Sequence, residues 1–164
     1  MANKLAVEIN CEIAEIKPMF KNVVLLFLMS FLKINIPIKI EGKQLTNYDE
    51  IIIFGPVWGG LLISPLRTAI KKCIKANKKF HFAITCESGQ ADKDTEYGYN
   101  HVFGLLDKYA GYWVLEKTAF SSTLVKNFVA KKSVTETKVQ ITDENYSDAL
   151  HQKILDFANK ITHA

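Results

Sequence analysis

The amino-acid sequence predicts a single α/β domain with a mainly parallel sheet. Residues 51–54 are four consecutive apolar residues, Ile-Ile-Ile-Phe, as is typical of a strand that is buried on both faces. A turn rich in glycine and proline follows, and Ser64 and Pro65 are a suitable N-cap and first residue for a helix. Residues 80–85 then predict a second apolar strand. Strands that alternate with helices in this way form a layered domain around a parallel sheet.

Length and composition limit the alternatives. The chain has 164 residues, a length that is enough for one domain and too short for two ordinary ones. Of these residues 48% are hydrophobic and 23% are charged, as in a globular protein. The net charge of +4 is spread along the chain and is too small to indicate nucleic acid as a partner. The most apolar stretch, residues 23–32, is about half of the ~20 residues that a membrane span needs, so we expect no membrane partner. Cys11, Cys73 and Cys86 have no paired spacing, which favours a reducing, cytoplasmic location.

The first elements are predicted from their periodicity. Apolar residues recur at helical spacing over residues 2–9, so the chain is expected to open in a helix. Residues 11–16 alternate between apolar and polar, which predicts a half-buried or edge strand that ends before Pro18.

A second helix is predicted from Met19 to Lys33, and it is almost entirely apolar. Its polar residues Asn22, Ser30 and Lys33 lie on one narrow stripe, so most of its circumference is hydrophobic. Such a helix must be covered on more than its core side. A partner subunit or a bound planar ligand could cover it, and we favour contact within a homodimer through residues 19–33.

The remaining elements follow in order along the chain. Residues 34–40 are expected to be irregular or briefly extended. Strands are predicted over residues 51–55, 80–85 and 112–117, and helices over residues 65–76, 97–109 and 145–162. In the helix over 65–76 the periodicity directs Arg67 and the lysines outward. Residues 119–142 are the hardest to assign, with a helical turn at 125–129 and a short strand at 137–141 as the predictions.

Several of these segments carry the resemblance to a known family. Residues 48–60 and 64–68 together resemble the third strand, flavin loop and third helix of the flavodoxin-like family. Residues 80–86 resemble its fourth strand and flavin-side loop, residues 112–117 its fifth strand, and residues 8–18 the end of its first helix and its second strand. The resemblance implies a flavodoxin-like three-layer sandwich with a mainly parallel sheet.

One part of the family pattern does not occur in this sequence. The first strand and the phosphate-binding loop of serine, threonine and glycine should precede the segment that starts at Met1. We therefore expect a domain that is incomplete at its N-terminus, with a gap between the second and third strands that closes up or receives a partner's strand. A gene start placed too far downstream and a family member that has lost flavin binding are the two explanations.

The resemblance also implies an FMN site. The loop over residues 56–60 would wrap one edge and face of the isoalloxazine ring, with Trp58 stacked on it, and the loop over residues 85–90 would hold the other side. The predicted cofactor-binding residues are Pro56, Val57, Trp58, Gly59, Gly60, Thr85, Cys86, Glu87, Ser88 and Gly89. Trp58 could instead be a loop tryptophan that packs on the following helix. Cys86 could be a redox thiol, but we favour a small buried hydrophobic residue.

Two functions of different classes remain. The first is an FMN-dependent redox protein, either an electron carrier or an NAD(P)H-dependent reductase of quinone-like acceptors, and the basic net charge favours the reductase. The second is a domain that binds no FMN and serves as an interaction or oligomerisation module. No metal site is predicted, because His81 and His101 lack further ligands at suitable spacing, and Tyr97 stands where a calcium loop needs glycine.

Overall fold

The computed structural model describes residues 1–40, 42–126 and 141–163. These residues form an α/β fold in which helices cover both faces of a three-stranded parallel sheet. The elements are α1 (Ala2–Glu8), α2 (Val23–Phe31), α3 (Gly42–Leu45), β1 (Ile52–Pro56), α4 (Ser64–Lys75), β2 (Phe80–Cys86), α5 (Tyr99–Ala110), β3 (Val114–Ser121) and α6 (Asp148–Thr162). Within the described part of the chain, no helix is both long and apolar enough to cross a membrane.

The sheet has the order β1-β2-β3, and both pairs are parallel. Ile53 lies opposite Phe82, and Ala83 lies opposite Thr118. The chain passes through α4 between β1 and β2 and through α5 between β2 and β3, because parallel neighbours need a crossover connection. The predicted α/β class with a parallel sheet is confirmed.

Two hydrophobic clusters lie on opposite faces of the sheet, because successive strand residues point to opposite sides. Phe82 and Ile84 of β2 belong to the larger cluster, which includes residues of α4 and α5. Ala83 of β2 and Phe120 of β3 belong to the smaller one, which includes residues of α1 and α6. The sheet is thus the middle of three layers.

The strand predicted over residues 11–16 is wrong. These residues are mostly exposed and have no strand assignment, and the nearest extended pairing is a single antiparallel bridge between Pro18 and Ile38. Alternation of polar and apolar residues does not suffice, because a strand also needs a neighbour to pair with. Among the described residues β1 pairs with β2 alone.

Other predicted elements are confirmed with shifted ends. α2 begins at Val23 rather than at Met19, because the Asn22 side chain caps it by accepting a hydrogen bond from the Leu25 N–H at 3.1 Å. Ser147 caps α6 in the same way. Ser64 is the first residue of α4 rather than its N-cap. The turn predicted at 125–129 and the strand predicted at 137–141 fall mostly on residues 127–140, which lie outside the described residues.

Arg67 on α4 was expected to face outward and is instead buried, with 6% of its surface exposed. Its guanidinium donates hydrogen bonds to the carbonyl oxygens of Ser30 at 3.2 Å, Met29 at 3.3 Å and Ile34 at 3.0 Å. These carbonyls lie at or just beyond the C-terminal end of α2, where a helix leaves its last carbonyls without internal partners. Burial lowers the pKa of Arg67, but a guanidinium stays protonated, and the negative end of the helix dipole compensates its charge.

Ser30 and Ser64 complete the contact between α2 and α4. The Ser30 hydroxyl donates to the Leu26 carbonyl at 2.7 Å and accepts from the Ser64 N–H at 2.8 Å. The Ser64 hydroxyl donates to the Ile34 carbonyl at 2.6 Å and accepts from the Ile36 N–H at 3.0 Å. α2 is therefore attached through hydrogen bonds near its polar stripe, and much of its apolar circumference is left toward solvent.

Replacement of Arg67 tests this attachment. We expect Arg67→Leu to lower the free energy of unfolding by about 3 kcal/mol, because it removes three hydrogen bonds from a charged donor to carbonyl oxygens at the end of α2. Arg67→Lys should lower the free energy of unfolding by less, since one ammonium group replaces some of the hydrogen bonds that the guanidinium donates. Lys71→Ala, an exposed position on the same helix, should change it by less than about 0.5 kcal/mol. Urea unfolding measures all three, and equal midpoints for Arg67→Leu and Lys71→Ala would contradict the assignment.

His81 makes the stability depend on pH. Its side chain is fully buried, neither ring nitrogen has a partner among the described residues, and burial lowers its pKa below 6.5. Below pH 6.5 the unfolded chain therefore binds a proton that the folded chain does not, and stability falls as the pH falls. We expect His81→Phe to remove up to ~1.4 kcal/mol of that loss per pH unit between pH 6.5 and 5. An unfolding free energy that depends on pH in the same way in the wild-type and His81→Phe proteins would contradict this assignment.

Candidate functional site

The three strands end side by side at one edge of the sheet. Pro56 pairs with Thr85, and Cys86 pairs with Ser121, so the loops that follow β1, β2 and β3 are neighbours. The Val57 N–H donates to the Thr85 carbonyl at 2.9 Å and joins the start of the first loop to the end of β2. The two segments that the sequence predicted as one site are therefore brought together at the carboxyl edge, where ligands bind in open α/β sheets.

A tight turn presents Trp58. The Leu61 N–H donates to the Trp58 carbonyl at 3.0 Å, and the two residues between them, Gly59 and Gly60, have φ of 54° and 71°. Positive φ at both central positions defines a type I′ turn, which glycine adopts without strain. The Trp58 side chain is half-buried and packs against the larger hydrophobic cluster. Trp58 thus packs on the protein's own core and also retains some exposed surface.

The loop that leads into α5 packs against this turn. A Cβ atom on Gly60 would lie 2.2 Å from the carbonyl oxygen of Glu96 and 3.1 Å from the Cα of Tyr97, so no larger residue fits there. Tyr97 itself is 64% exposed. Tyr97 was expected to begin a helix and was not predicted as a site residue, but α5 begins only at Tyr99. An aromatic residue within an acidic stretch, without helical apolar neighbours, was the available signal.

The end of β2 and the loop after it contain a buried thiol and a buried hydroxyl that has no hydrogen-bond partner among the described residues. The Cys86 thiol donates to the Ser88 carbonyl at 3.6 Å, and burial raises its pKa, so it stays protonated at neutral pH. This agrees with Cys86 as a small buried residue rather than a reactive thiolate. The Ser88 Oγ is buried and forms no hydrogen bond with the described residues. Gly89 lies against Thr123, with a Cβ position 3.2 Å from its Cγ2.

The hydroxyls at the end of β3 are already paired. The Ser121 Oγ accepts from the Thr123 N–H at 3.1 Å and shares a hydrogen bond with the Thr123 Oγ1 at 2.8 Å. In contrast with Ser88, these groups form a closed local turn and are not directed to a ligand. The described residues contain no cluster of three or more histidines, cysteines or carboxylates that could hold a metal ion.

Two cavities lie away from the loops at the carboxyl edge of the sheet. A cavity of about 670 Å³ is lined by residues of α1, by residues 141–143, by Tyr146 and by His151. Another of about 560 Å³ is lined by Gly42, Thr46, Thr68, Ala76 and the lysines Lys71, Lys72 and Lys75. Neither of these two cavities includes Trp58 or Ser88.

Thiol reactivity tests the buried state of Cys86. Cys11 is exposed, whereas Cys73 and Cys86 are buried, and burial raises the pKa of Cys73 to about 11. Ellman's reagent at pH 8 should therefore modify one thiol of the folded protein rapidly and all three after unfolding. A Cys11→Ser variant should show no rapid phase. A rapid phase that remains in this variant would mean that Cys86 or Cys73 is accessible.

Compared with models of protein families, with curated proteins and with solved structures, the chain matches none of them. The chain is an α/β protein with a three-stranded parallel sheet, and loops that carry Trp58, Tyr97 and Ser88 lie at the carboxyl edge of that sheet.

Proposed function

We propose that the carboxyl edge of the sheet binds the isoalloxazine ring of FMN and that the protein is a flavodoxin-like redox protein. The observation that carries the proposal is the Ser88 Oγ, a buried hydroxyl with no hydrogen-bond partner among the described residues, in the loop that follows the end of β2 contacted by Val57. A buried polar group without a hydrogen bond is costly, and a ligand that supplies the bond removes that cost.

The layout of the elements is compatible with the family resemblance. Three consecutive parallel strands are linked by α4 and α5 on one face, and α1 and the last helix, α6, cover the other face. On this proposal β1, β2 and β3 correspond to the third, fourth and fifth strands of the family. In the family the first strand would lie beside β1, where the described residues contain no strand.

The residues at the edge fit a planar ring better than a phosphate. The partly exposed indole of Trp58 offers an aromatic face, and the open space around Gly59 lets a ligand approach the backbone. The Ser88 hydroxyl, which is buried, would have to rotate toward the surface to bond to the polar rim of the ring. By contrast, Ser121 and Thr123 are already bonded to each other, so they offer no ready phosphate cradle.

FMN, when bound, supplies one- and two-electron transfer chemistry, and the chain positions the ring and shapes its electrostatic surroundings. The loop that packs against Gly60 carries Asp92, Asp94 and Glu96. Negative charge near the ring opposes the charge that reduction adds, so this loop would favour the oxidised form. NAD(P)H as electron donor and a quinone-like acceptor are the partners that the resemblance implies.

A second candidate is a domain of the same ancestry that binds no flavin. The specific observation in its favour is that Trp58 packs on the protein's own hydrophobic cluster while both cavities lie elsewhere. In that case the turn would be structural, and interaction with other proteins would be the function.

Flavin titration separates the two candidates. If the ring provides most of the affinity, FMN and riboflavin should bind with dissociation constants within about threefold of each other. A phosphate held by even one charge-assisted hydrogen bond would instead favour FMN by roughly tenfold or more. Quenching of flavin fluorescence measures both ligands. If neither flavin is quenched, the second candidate is favoured.

Matched tryptophan variants locate the ring. The chain has two tryptophans, Trp58 and Trp113, and both pack against the larger cluster while only Trp58 lies at the carboxyl edge. We expect Trp58→Leu to weaken flavin binding about tenfold, or ~1.4 kcal/mol, through loss of the aromatic face. Trp113→Leu should leave the affinity unchanged. Equal losses in the two variants would indicate a general effect on folding.

A further inference from the structure

We infer that a second copy of this chain packs on the outer face of α2, which we define as Val23, Val24, Phe27, Leu28 and Phe31. These five side chains are between 46% and 77% exposed. At 100° per residue they occupy one continuous arc of about 140°. The inference does not depend on flavin binding.

The attachment of α2 prevents this face from turning inward. Leu26 and Ser30 lie outside this arc, next to its Val23 edge, and are buried, and the hydrogen bonds of Ser30 and Arg67 hold that side of the helix on α4. Rotating the helix to bury its apolar face would break these bonds and leave a buried guanidinium unpaired, which is strongly unfavourable. The exposed face is therefore a fixed property of the fold.

The area of this surface fits a second protein chain. Four further apolar residues around the helix, Met19, Phe20, Leu32 and Ile34, are between 46% and 60% exposed. With side chains of this size, the outer face and its surroundings expose roughly 800 Å² of apolar surface. The largest apolar patch on a typical monomer is about 300–600 Å², whereas a stable interface buries about 800 Å² on each partner.

The distribution of charge favours a copy of the same chain over a lipid surface. α2 contains no charged residue, and the exposed Lys21 and Lys33 flank its two ends. Helices that lie on membranes carry lysine or arginine along a polar face that stays in water, whereas the polar side of α2 is buried in the protein. An apolar centre with charges at the rim is the arrangement of a protein interface.

A two-fold contact between identical α2 faces would place Phe27 near the symmetry axis. Val23 and Phe31 lie one turn before and after Phe27, so Phe27 is the middle of the helix face, and the middle residue of a self-complementary contact meets its own copy. Helices aligned along their full length would bring lysines from the two chains together. A crossing at about 50° keeps the helix ends apart, and we expect that arrangement.

Sedimentation velocity of the full chain tests the inference. The wild-type protein at about 50 µM should sediment as a dimer, and Phe27→Glu should raise the dimer dissociation constant at least a hundredfold, or ~2.7 kcal/mol. Val7→Glu is the matched control, because Val7 is 78% exposed on α1 and lies outside this face. It should leave the dimer intact. Circular dichroism should show both variants folded.

A cross-link provides a readout that does not depend on a disruptive substitution. In a Cys11→Ser background the remaining cysteines, Cys73 and Cys86, are buried. Phe27→Cys should then form a disulfide-linked dimer when an added oxidant removes two electrons and two protons from the paired thiols. Val7→Cys should not.

A monomeric wild-type chain, or a dimer that persists in Phe27→Glu, would overturn the inference. A monomer that co-sediments with phosphatidylserine vesicles would also overturn it and would assign the face to a lipid surface.

Discussion

The guanidinium of Arg67 and the carbonyl oxygens at the end of α2 form the contact on which much of the structure depends. Charge is rarely buried without a carboxylate, and here three backbone carbonyls and the dipole of α2 take that role. The same contact joins a segment of about 40 residues at the start of the chain to the helix after the Trp58 turn. The position of α2 is thus fixed by the first turn of α4 rather than by apolar packing on the sheet.

This contact also helps to position the carboxyl edge. α4 begins at Ser64, only a few residues after Gly60, and Ser64 takes part in the hydrogen bonds to α2. β1 anchors the other end of the connecting loop, and Gly55 brings that strand so close to α4 that a Cβ there would lie 2.7 Å from the Leu66 side chain. With both ends held, the loop has little freedom, and the type I′ turn at Gly59 and Gly60 gives Trp58 a defined place.

The sequence predicted those parts of the fold that local patterns determine. Runs of apolar residues located β1 and β2, and helical periodicity located α1, α4 and α6. The strand predicted over residues 11–16 is wrong because alternation of polar and apolar residues indicates a tendency to be extended, and not the presence of a strand to pair with. The outward orientation predicted for Arg67 is wrong because a helical pattern treats arginine as exposed. The carbonyls that accept hydrogen bonds from Arg67 lie 33 to 38 residues earlier in the chain. Contacts over that distance leave no periodic signal.

In the candidate site too, local features were predictable from the sequence and contacts between distant residues were not. The glycine turn and the strand ends were predictable, since positive φ and strand termination are local properties. The unpaired hydroxyl of Ser88 and the approach of Tyr97 to Gly60 were not, because each depends on how separate loops pack.

The outer face of α2 and the Trp58 turn have no residue in common, yet both are held by the hydrogen bonds between α2 and α4. A change within either surface should affect only that surface, whereas weakening these bonds loosens both. The α2 face does not require a ligand at the carboxyl edge, because none of the side chains that hold α2, Ser30, Ser64 and Arg67, belongs to the Trp58 turn.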